Sequence, residues 1–347
     1  MRILHLYRPR VPSTRAQTIQ VIHSCHALAR LGHQVTVICD RGEQKLSQQQ
    51  VLDNFGLPSV GTLKLIINPF RHSGMAGIFF RTQLKKWWQG EAGFVIARDK
   101  KRLLQALQRW KNKHCVIVET HEVDSLLEPH KPWHGIEKKL LEQCHGLVAN
   151  CGGTMHLWKK QHPNMQLPNQ VIHNATAPSR VRTWQPQNTI RYIGSLKQWK
   201  GIELVKGLGQ KYKIELIGAR TNARQDLAGD NIAILPAVDY TQVPELLATS
   251  RVLLLLLSDN LFGRSLTSPL KLWDYLASTA PIVAPHLASI VEIQEIAQAD
   301  FHFYRPDDLT SLRQAVDAAQ QAGARKSFLR SWETRALEMV RFLRELG

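Results

Sequence analysis

The sequence has few cysteines, and they do not form the pattern of a metal site or of a disulfide framework. None of the five belongs to a Cys-x-x-Cys pair, and their odd number disfavours a set of paired disulfides. His23, Cys25 and His26 lie close together, but residues 23 and 25 point to different faces of a helix and no second ligand pair follows. We therefore expect no bound metal, and reduced thiols as in a cytosolic protein.

Long hydrophobic runs are also missing. The longest, VLLLLL at residues 252–257, has the length of a buried strand and is far too short to cross a bilayer. The chain opens MRILHLY and goes directly into a loop, and no signal-peptide pattern is expected before the first strand. The expected location is the cytoplasm.

Acidic residues are scarce beside basic ones, with 28 Asp and Glu against 45 Lys and Arg, a net charge of +17. Residues 1–177 contain 24 basic and 11 acidic residues, a net +13, whereas residues 178–347 contain 21 and 17, a net +4. A basic surface suits nucleic acid or an anionic membrane. No nucleic-acid recognition motif accompanies the charge, so a basic nucleic-acid-binding protein is a minor alternative and no specific nucleic acid is expected as a partner.

Short apolar runs alternate with helical patterns along the whole chain. Eleven runs are predicted strands, at residues 3–6, 35–38, 63–67, 94–97, 116–119, 147–149, 191–193, 214–217, 232–235, 252–257 and 282–284. The alternation predicts parallel sheets covered by helices, and eleven strands are too many for one ordinary sheet. The segment NATAPS at 174–179 is the best linker. We therefore predict an α/β protein of two Rossmann-like domains with a cleft between them.

Two loops that follow predicted strands are candidates for ligand binding, because ligands of open parallel sheets lie at the carboxyl ends of the strands. The first, RPRVPSTRAQTIQV, has three arginines beside a helix N-terminus, where Thr14 and Gln17 form a predicted capping box. The second, IGSLKQWKGI, combines two glycines with Lys197 and Lys200. Solvated surface charge is the alternative for both loops.

The stretch SPLKLWDYLAS predicts a helix with an unusual first turn. Ser268 is the predicted N-cap and Pro269 the first helical residue. Lys271 then lies in the first turn, where the helix dipole favours an anion over a cation. A bound anion explains this lysine. The alternative is a helical ion pair between Lys271 and Asp274, worth only ~0.2–0.5 kcal/mol.

The ordered set of motifs resembles glycosyltransferase family 4, retaining enzymes of the two-domain GT-B fold. The matching segments are MRILHLY, HALARLGHQVTVI, VIVETHEV, VIHNATAP, YIGSLKQWKGIELV, SPLKLWDYLASTAPIVAP and SWETRALEMVRFL. The resemblance covers nearly the whole chain. It implies an acceptor-side domain at residues 1–177, a nucleotide-sugar-binding domain at 178–330, and a final helix at 331–347 that packs back on the first domain.

The resemblance also implies roles for individual residues. His121 and Lys200 are the predicted catalytic residues, although a histidine after a strand is more often structural when taken alone. The predicted donor-binding residues are Ser195, Lys197, Lys200, Thr267, Ser268, Leu270, Lys271 and Asp274. The predicted acceptor or phosphate loop contains Ser13, Thr14 and Arg15. Asp274 matches a glutamate that holds the ribose in the family, whereas Leu266 replaces the glutamate that contacts the sugar.

The reaction implied by the resemblance is retaining transfer of a sugar from a nucleotide-diphosphate sugar to a glycan or lipid-linked acceptor of the cell envelope, with no metal ion or other cofactor. A nucleotide-sugar 2-epimerase of the same fold is the alternative, because it uses the same phosphate site but adds acid–base residues.

One predicted helix also favours an anionic membrane surface as a partner. Three apolar residues follow one of its faces and three basic residues lie beside that face, namely Phe80, Leu84 and Trp88 with Arg81, Lys85 and Lys86. An ordinary helix that packs the apolar face in the core is the alternative. We expect peripheral attachment to the inner face of the cell membrane.

Overall fold

The computed structural model describes residues 1–71, 73–177, 182–197, 200–219 and 224–347, and it divides into two compact units. Unit 1 consists of Met1–His173 together with Trp332–Gly347, and unit 2 is Asn174–Ser331. The linker predicted at residues 174–179 lies partly outside the described residues, since its last two residues are not among them.

In the part of unit 1 that the structure describes, the chain forms eight parallel strands. They are β1 (Arg2–Leu6), β2 (Arg10–Val11), β3 (Gln34–Arg41), β4 (Leu63–Ile67), β5 (Phe94–Ala97), β6 (Cys115–Thr120), β7 (Gly146–Ala149) and β8 (Asn169–Val171). Their order is β2-β3-β1-β5-β6-β7-β8, with β4 also paired to β3. Ile3 of β1 lies in register with Val35 on one side and Phe94 on the other, so β1 runs through the middle of the sheet.

The described residues of unit 1 form eight helices. They are α1 (Ala16–Arg30), α2 (Gln48–Asn54), α3 (Ser73–Gln89), α4 (Lys100–Arg109), α5 (Asp124–Leu127), α6 (Trp133–Gln143), α7 (Gly152–Gln161) and α14 (Trp332–Leu346). The twelve consecutive residues 18–29 of α1 are all buried, because α1 packs against the sheet and α14 packs against α1.

Unit 2 is a second parallel sheet covered by helices. Its strands are β9 (Ile190–Ile193), β10 (Ile214–Ala219), β11 (Ile232–Pro236), β12 (Val252–Leu254), β13 (Ile282–Pro285) and β14 (His302–Tyr304), in the order β11-β10-β9-β12-β13-β14. Its helices are α8 (Leu204–Leu208), α9 (Val243–Ala248), α10 (Leu261–Ser265), α11 (Leu270–Ala277), α12 (Ala288–Ala297) and α13 (Leu309–Gln321).

The predicted α/β class with two parallel sheets is confirmed, and each of the eleven predicted strands is present. The sequence analysis missed β2, β8 and β14, which are two or three residues long. The apolar run at 252–257 is buried throughout, but its strand ends at Leu254.

Helix α3 corrects the predicted membrane-facing stripe. Phe80, Leu84 and Trp88 are only 1–3% exposed, so this face packs in the core of unit 1 and is not a surface. The ordinary-helix alternative is right for these three residues. Among the described residues, no helix has the length and apolar character needed to cross a membrane.

Candidate active site

The loop after β9 in unit 2 depends on two glycines at the ends of neighbouring strands. Gly194 has φ +145° and Gly218 has φ +126°, and a Cβ on Gly218 would lie only 2.5 Å from the carbonyl oxygen of Gly194. The N–H of Gly194 donates to the carbonyl of Ile217 at 2.7 Å. Only glycine fits both positions, so the chain can turn sharply at the carboxyl end of the sheet.

Helix α11 begins beside this loop, one residue later than predicted. Leu270 is its first residue and Pro269 its N-cap. The predicted N-cap Ser268 is wrong, because its Oγ accepts the indole N–H of Trp273 at 3.0 Å and its carbonyl accepts the amide of Asn174 at 2.6 Å. Lys271 does lie in the first turn, where helical N–H groups have no intrahelical acceptor.

The side chain of Lys271 ends in an unusual environment. Its Nζ lies 3.7 Å from the centroid of the Tyr192 ring, and a Cβ on Gly194 would be 2.7 Å from it. The atom is shielded from solvent and has no hydrogen-bond partner among the residues that the structure describes. Burial, followed by the charge of Lys200, holds the pKa of Lys271 well below its ordinary value. The alternative of an ion pair with Asp274 is therefore wrong.

Lys200 brings a second amine to the same loop. Its Nζ donates to Ser195 Oγ at 2.8 Å, and burial, together with the charge of Lys197, lowers the pKa of Lys200 to about 8. The structure thus gathers Ser195, Lys197, Lys200 and Lys271 around the glycine loop. Amines held close together in a partly buried site repel one another until an anion binds between them.

Asp274 lies one turn after Lys271 and faces the interior of unit 2. It is 4% exposed, and its Oδ1 accepts hydrogen bonds from Thr176 Oγ1 at 2.5 Å and from the Tyr240 hydroxyl at 2.9 Å. Thr267 and Leu266 are buried as well. The carboxylate is therefore held firmly, and its role with ribose stays a prediction.

In unit 1, His121 follows β6 and contacts a buried carboxylate. Its Nε2 is 3.2 Å from Oε1 of Glu119, which is 2% exposed. The same oxygen accepts from Gln20 Nε2 at 2.8 Å and from Arg335 Nη2 at 2.7 Å, and His5 Nε2 lies 3.4 Å from Oε2. Glu119 is therefore the centre of a network that joins β1, α1, β6 and α14.

The charges in this network fix the protonation of His121. Burial by itself raises the pKa of Glu119, but Arg335 and the hydrogen bonds from His121 and His5 hold it well below the ordinary value. Burial and the charge of Arg98 lower the pKa of His121 to about 4. The imidazole is therefore neutral at neutral pH. Because Nε2–H donates to an ionised carboxylate, Nδ1 is left as a hydrogen-bond acceptor.

The first loop differs from its predicted form. Helix α1 begins at Ala16 with Arg15 as its N-cap, and the N–H of Arg15 donates to Ser13 Oγ at 3.1 Å. The predicted capping box of Thr14 and Gln17 is wrong, since Gln17 Oε1 accepts the hydroxyl of Tyr7 at 2.7 Å. Ser13, Thr14 and Arg15 lie together at the start of α1, with the last two exposed.

The sequence analysis missed three residues that shape these sites. Glu119 was left out although it lies two residues before His121, and a carboxylate so close to a predicted catalytic histidine is a usable signal. Arg335 lies in a helix 216 residues further along the chain, and no local pattern connects it with Glu119. Tyr275 accepts the N–H of Ile193 at 3.0 Å and so holds the glycine loop, which its position in an apolar helix does not reveal.

Comparison with known proteins finds a family that matches part of this chain and solved structures that share its fold. Residues 17–180 match the profile described as Glycosyltransferase Family 4. No curated protein sequence matches the chain. Among solved structures, HepE from Anabaena in complex with UDP and glucose is similar over 100% of both chains, with 14% identity and a TM-score of 0.69.

Two further structures have the same fold. WaaG, a glycosyltransferase involved in lipopolysaccharide biosynthesis, is 14% identical with a TM-score of 0.62, covering 98% of this chain and 95% of its own. An α-glucosyltransferase in complex with UDP and a 13-mer DNA containing an HMU base is 12% identical with a TM-score of 0.60, covering 100% and 96%.

The two parallel sheets, and the neighbours that share them, show that the chain has the GT-B fold. Residues 17–180 are similar to glycosyltransferase family 4, and the resemblance drawn from the motifs is confirmed over this part of the chain.

Proposed function

We propose that this glycosyltransferase transfers a sugar, with retention at the anomeric carbon, from a nucleoside-diphosphate sugar to a glycan or lipid-linked acceptor of the cell envelope. The observation that carries the donor class is the buried Nζ of Lys271, which lies against Gly194 with no hydrogen-bond partner in the described parts of the chain. A buried amine of this kind is unfavourable unless an anion binds it. A diphosphate supplies that anion at the start of α11, where the helix dipole adds to the attraction.

The proposed chemistry uses positive charge and not a protein nucleophile. As the glycosidic bond of the donor breaks, negative charge grows on the leaving diphosphate, and Lys200, Lys271 and the first turn of α11 stabilise it. A phosphate oxygen of the donor accepts the proton of the acceptor hydroxyl on the same face, which gives retention. His121 is neutral, and its Nδ1 accepts a hydrogen bond from a sugar hydroxyl. We propose no metal ion, because the lysines supply the charge.

A thermal-shift screen tests the donor class. UDP-, GDP- and ADP-sugars are compared in the presence of EDTA, and a ligand at ~100 times its Kd should stabilise the fold by about 2.7 kcal/mol. Lys271→Met should abolish the shift, and it should also make the ligand-free protein more stable, because a buried unpaired amine is removed. Lys206→Met, at an exposed lysine of α8, is the matched control. The proposal fails if no nucleotide sugar shifts the wild type, or if Lys271→Met keeps the shift.

The acceptor and the stereochemistry need a separate measurement. WaaG acts in lipopolysaccharide biosynthesis, which supports a cell-envelope acceptor here. With a donor found in the screen, NMR of the product shows whether the anomeric configuration of the donor is kept. Conversion of one nucleotide sugar into another without any acceptor would favour the epimerase alternative.

We expect donor affinity to weaken as the pH rises through about 8, the pKa of Lys200 in the free protein. A diphosphate binds the protonated amine more tightly. Below that pKa the amine is already charged and this lysine adds no pH dependence. Above it, binding must take up a proton, and Kd rises by up to about tenfold per pH unit.

Isothermal titration of the donor between pH 6.5 and 9.5 measures this effect. Lys200→Arg is the informative variant, because arginine stays charged over the whole range and should remove the part of the slope that begins near pH 8. Equal slopes in the two proteins would exclude Lys200 as the titrating group.

We also propose that the enzyme works in the cytoplasm and attaches peripherally to anionic lipid at the inner face of the membrane. The apolar residues that α3 exposes are not those of the predicted stripe. Met75 is 56% exposed and Ile78 is 57% exposed, with Lys85 and Lys86 further along the same helix. Apolar side chains beside exposed lysines are suited to the surface of an anionic bilayer.

Liposome co-sedimentation should show binding that requires anionic lipid and falls with salt. Each lysine near the surface contributes ~1 kcal/mol, so Lys85→Ser with Lys86→Ser should weaken vesicle binding about 30-fold. Lys159→Ser with Lys160→Ser, on the exposed end of α7, removes the same charge and should leave binding unchanged. Equal recovery with neutral and anionic vesicles at low salt would rule out the membrane proposal.

A further inference from the structure

Unit 1 has a cavity of ≈ 370 Å³ beside the loop after β1 and helices α3 and α4. Its lining includes four arginines and two aromatic rings, namely Arg8, Arg81, Arg102, Arg109, Phe80 and Trp110. Small-molecule sites have volumes of roughly 300–1,000 Å³, so the cavity is large enough for a ligand. Four guanidinium groups around one cavity indicate an anion.

The charges of these arginines are only half neutralised. Arg8 Nη2 lies 2.7 Å from Asp40 Oδ1, and Arg102 pairs with Asp99. Arg81 and Arg109 are exposed and form no ion pair or side-chain hydrogen bond within the described residues. With four guanidinium groups against two carboxylates, the cavity has a net charge of +2. This charge matches a phosphate monoester or a diphosphate, which arginine binds through paired N–H groups.

An aromatic ring holds two of the arginines in place. Arg8 Cζ lies 4.8 Å and Arg102 Cζ 5.5 Å from the centroid of the Phe80 ring, which is itself buried in the core. Guanidinium groups stack well on aromatic faces because they are weakly hydrated. The ring also limits access of water to one side of both cations, so their attraction for an anion is less screened than at an open surface.

The cavity lies at the edge of the sheet where ligands of parallel folds bind. Arg8 follows β1. Arg102 is in the first turn of α4, and this helix follows β5, the strand that pairs with β1. His121 follows β6, which pairs with β5 on its other side. All three residues therefore lie at the carboxyl ends of adjacent strands, where ligands of open parallel sheets are bound.

We propose that this cavity, the arginine pocket, binds the phosphate or diphosphate group of the acceptor. That the bound molecule is the acceptor rests on the proposed function, whereas the binding of an anion in this cavity does not. The acceptor is thereby assigned to a chemical class, a phosphorylated molecule whose hydroxyl reaches the region of His121 while its phosphate is held by arginine. The phosphate can belong to a lipid headgroup or to a soluble molecule, and the pocket recognises the same group in both.

Titration calorimetry with inorganic pyrophosphate and with glycerol phosphate tests the pocket. The full-length Lys271→Met protein is used, so that the donor site does not contribute. In this background Arg81→Ser and Arg109→Ser should each weaken pyrophosphate binding about tenfold, the effect of losing a charge-assisted hydrogen bond. Lys64→Ser with Lys111→Ser removes two exposed charges outside the pocket and is the control. Equal Kd values for the double variant Arg81→Ser with Arg109→Ser and for the lysine control would overturn the proposal.

Two further arms separate the sources of the phosphate. Vesicles containing phosphatidic acid, a phosphate monoester, should compete with pyrophosphate if the source is a lipid, and should fail to compete if the source is soluble. Whether or not these vesicles compete, the proposal that the arginine pocket binds phosphate is supported if Arg81→Ser with Arg109→Ser abolishes pyrophosphate binding. Equal competition by phosphatidylglycerol, a diester, would show that only surface charge is sensed and would overturn it. With Lys271 intact, the same arginine substitutions should keep the donor-induced thermal shift, so failure here is distinct from failure of the proposed function.

Discussion

Lys200→Ala is expected to lower turnover by roughly 10²–10³-fold, the loss seen when one preorganised donor to a developing anion is removed. The Nζ of Lys200 is held on Ser195 Oγ at 2.8 Å before any ligand binds, so its charge needs little rearrangement as the leaving group separates. The effect should fall mainly on kcat, because the negative charge on the diphosphate is greatest in the transition state. The measurement is the steady-state release of nucleoside diphosphate from the donor.

Stability and a neighbouring lysine provide the controls for Lys200. Its pKa is lowered to about 8, chiefly by burial, so the charged amine costs the folded protein free energy and the variant should unfold at no lower a denaturant concentration than the wild type. Lys206→Ala, at an exposed lysine paired loosely with Asp226 at 3.8 Å, should keep full turnover. Near-normal turnover in Lys200→Ala would remove Lys200 from the mechanism.

Arg335→Ala should destabilise the protein by about 3–5 kcal/mol, the usual loss when one partner of a buried ion pair is removed. Arg335 is 2% exposed, and its two Nη atoms donate to Glu119 and, at 3.0 Å, to Ser24 Oγ. Without this guanidinium, the hydrogen-bond partners that Glu119 keeps among the described residues are all neutral, and Arg98 is a remaining charge nearby. Urea denaturation followed by circular dichroism gives the free energy of unfolding.

A second substitution separates charge from packing at this position. Glu119→Gln in the Arg335→Ala background removes the unpaired carboxylate and should recover part of the lost free energy of unfolding. Arg341→Ala, at an exposed position of α14, should change stability by no more than about 0.5 kcal/mol. If the double variant is no more stable than Arg335→Ala, the cost lies in packing and not in the buried charge.

The strands were predictable because apolar residues in a parallel sheet form short continuous runs. Residues 63–67 and 94–97 were predicted with the bounds that the structure has. The missed strand β8 is mostly polar and only partly buried, and β14 has one fully buried residue in three. Neither strand is therefore a continuous apolar run. The class of fold therefore follows from the sequence, and the short edge strands do not.

The candidate sites were predictable only where chemistry and local spacing agree. Lys271 was found because a cation in the first turn of a helix contradicts the dipole. Helix caps failed at Ser268 and Thr14, because Trp273 and Tyr7 compete for the same polar groups through tertiary contacts. The environment of Glu119 depends on residues from four separate elements, and no spacing within one element encodes it.

Unit 1 is assembled from two stretches of chain that are separated by the whole of unit 2. Glu119 and Arg335 are 216 residues apart, and a ribosome adding ~5–20 residues per second needs about 10–40 s to pass from one to the other. During that interval Glu119 lacks its ion pair with Arg335, and α1 has no α14 to cover it. Unit 2 is one uninterrupted stretch, so it is able to complete its fold first, which reverses the usual order in which the N-terminal domain of a growing chain folds before the next.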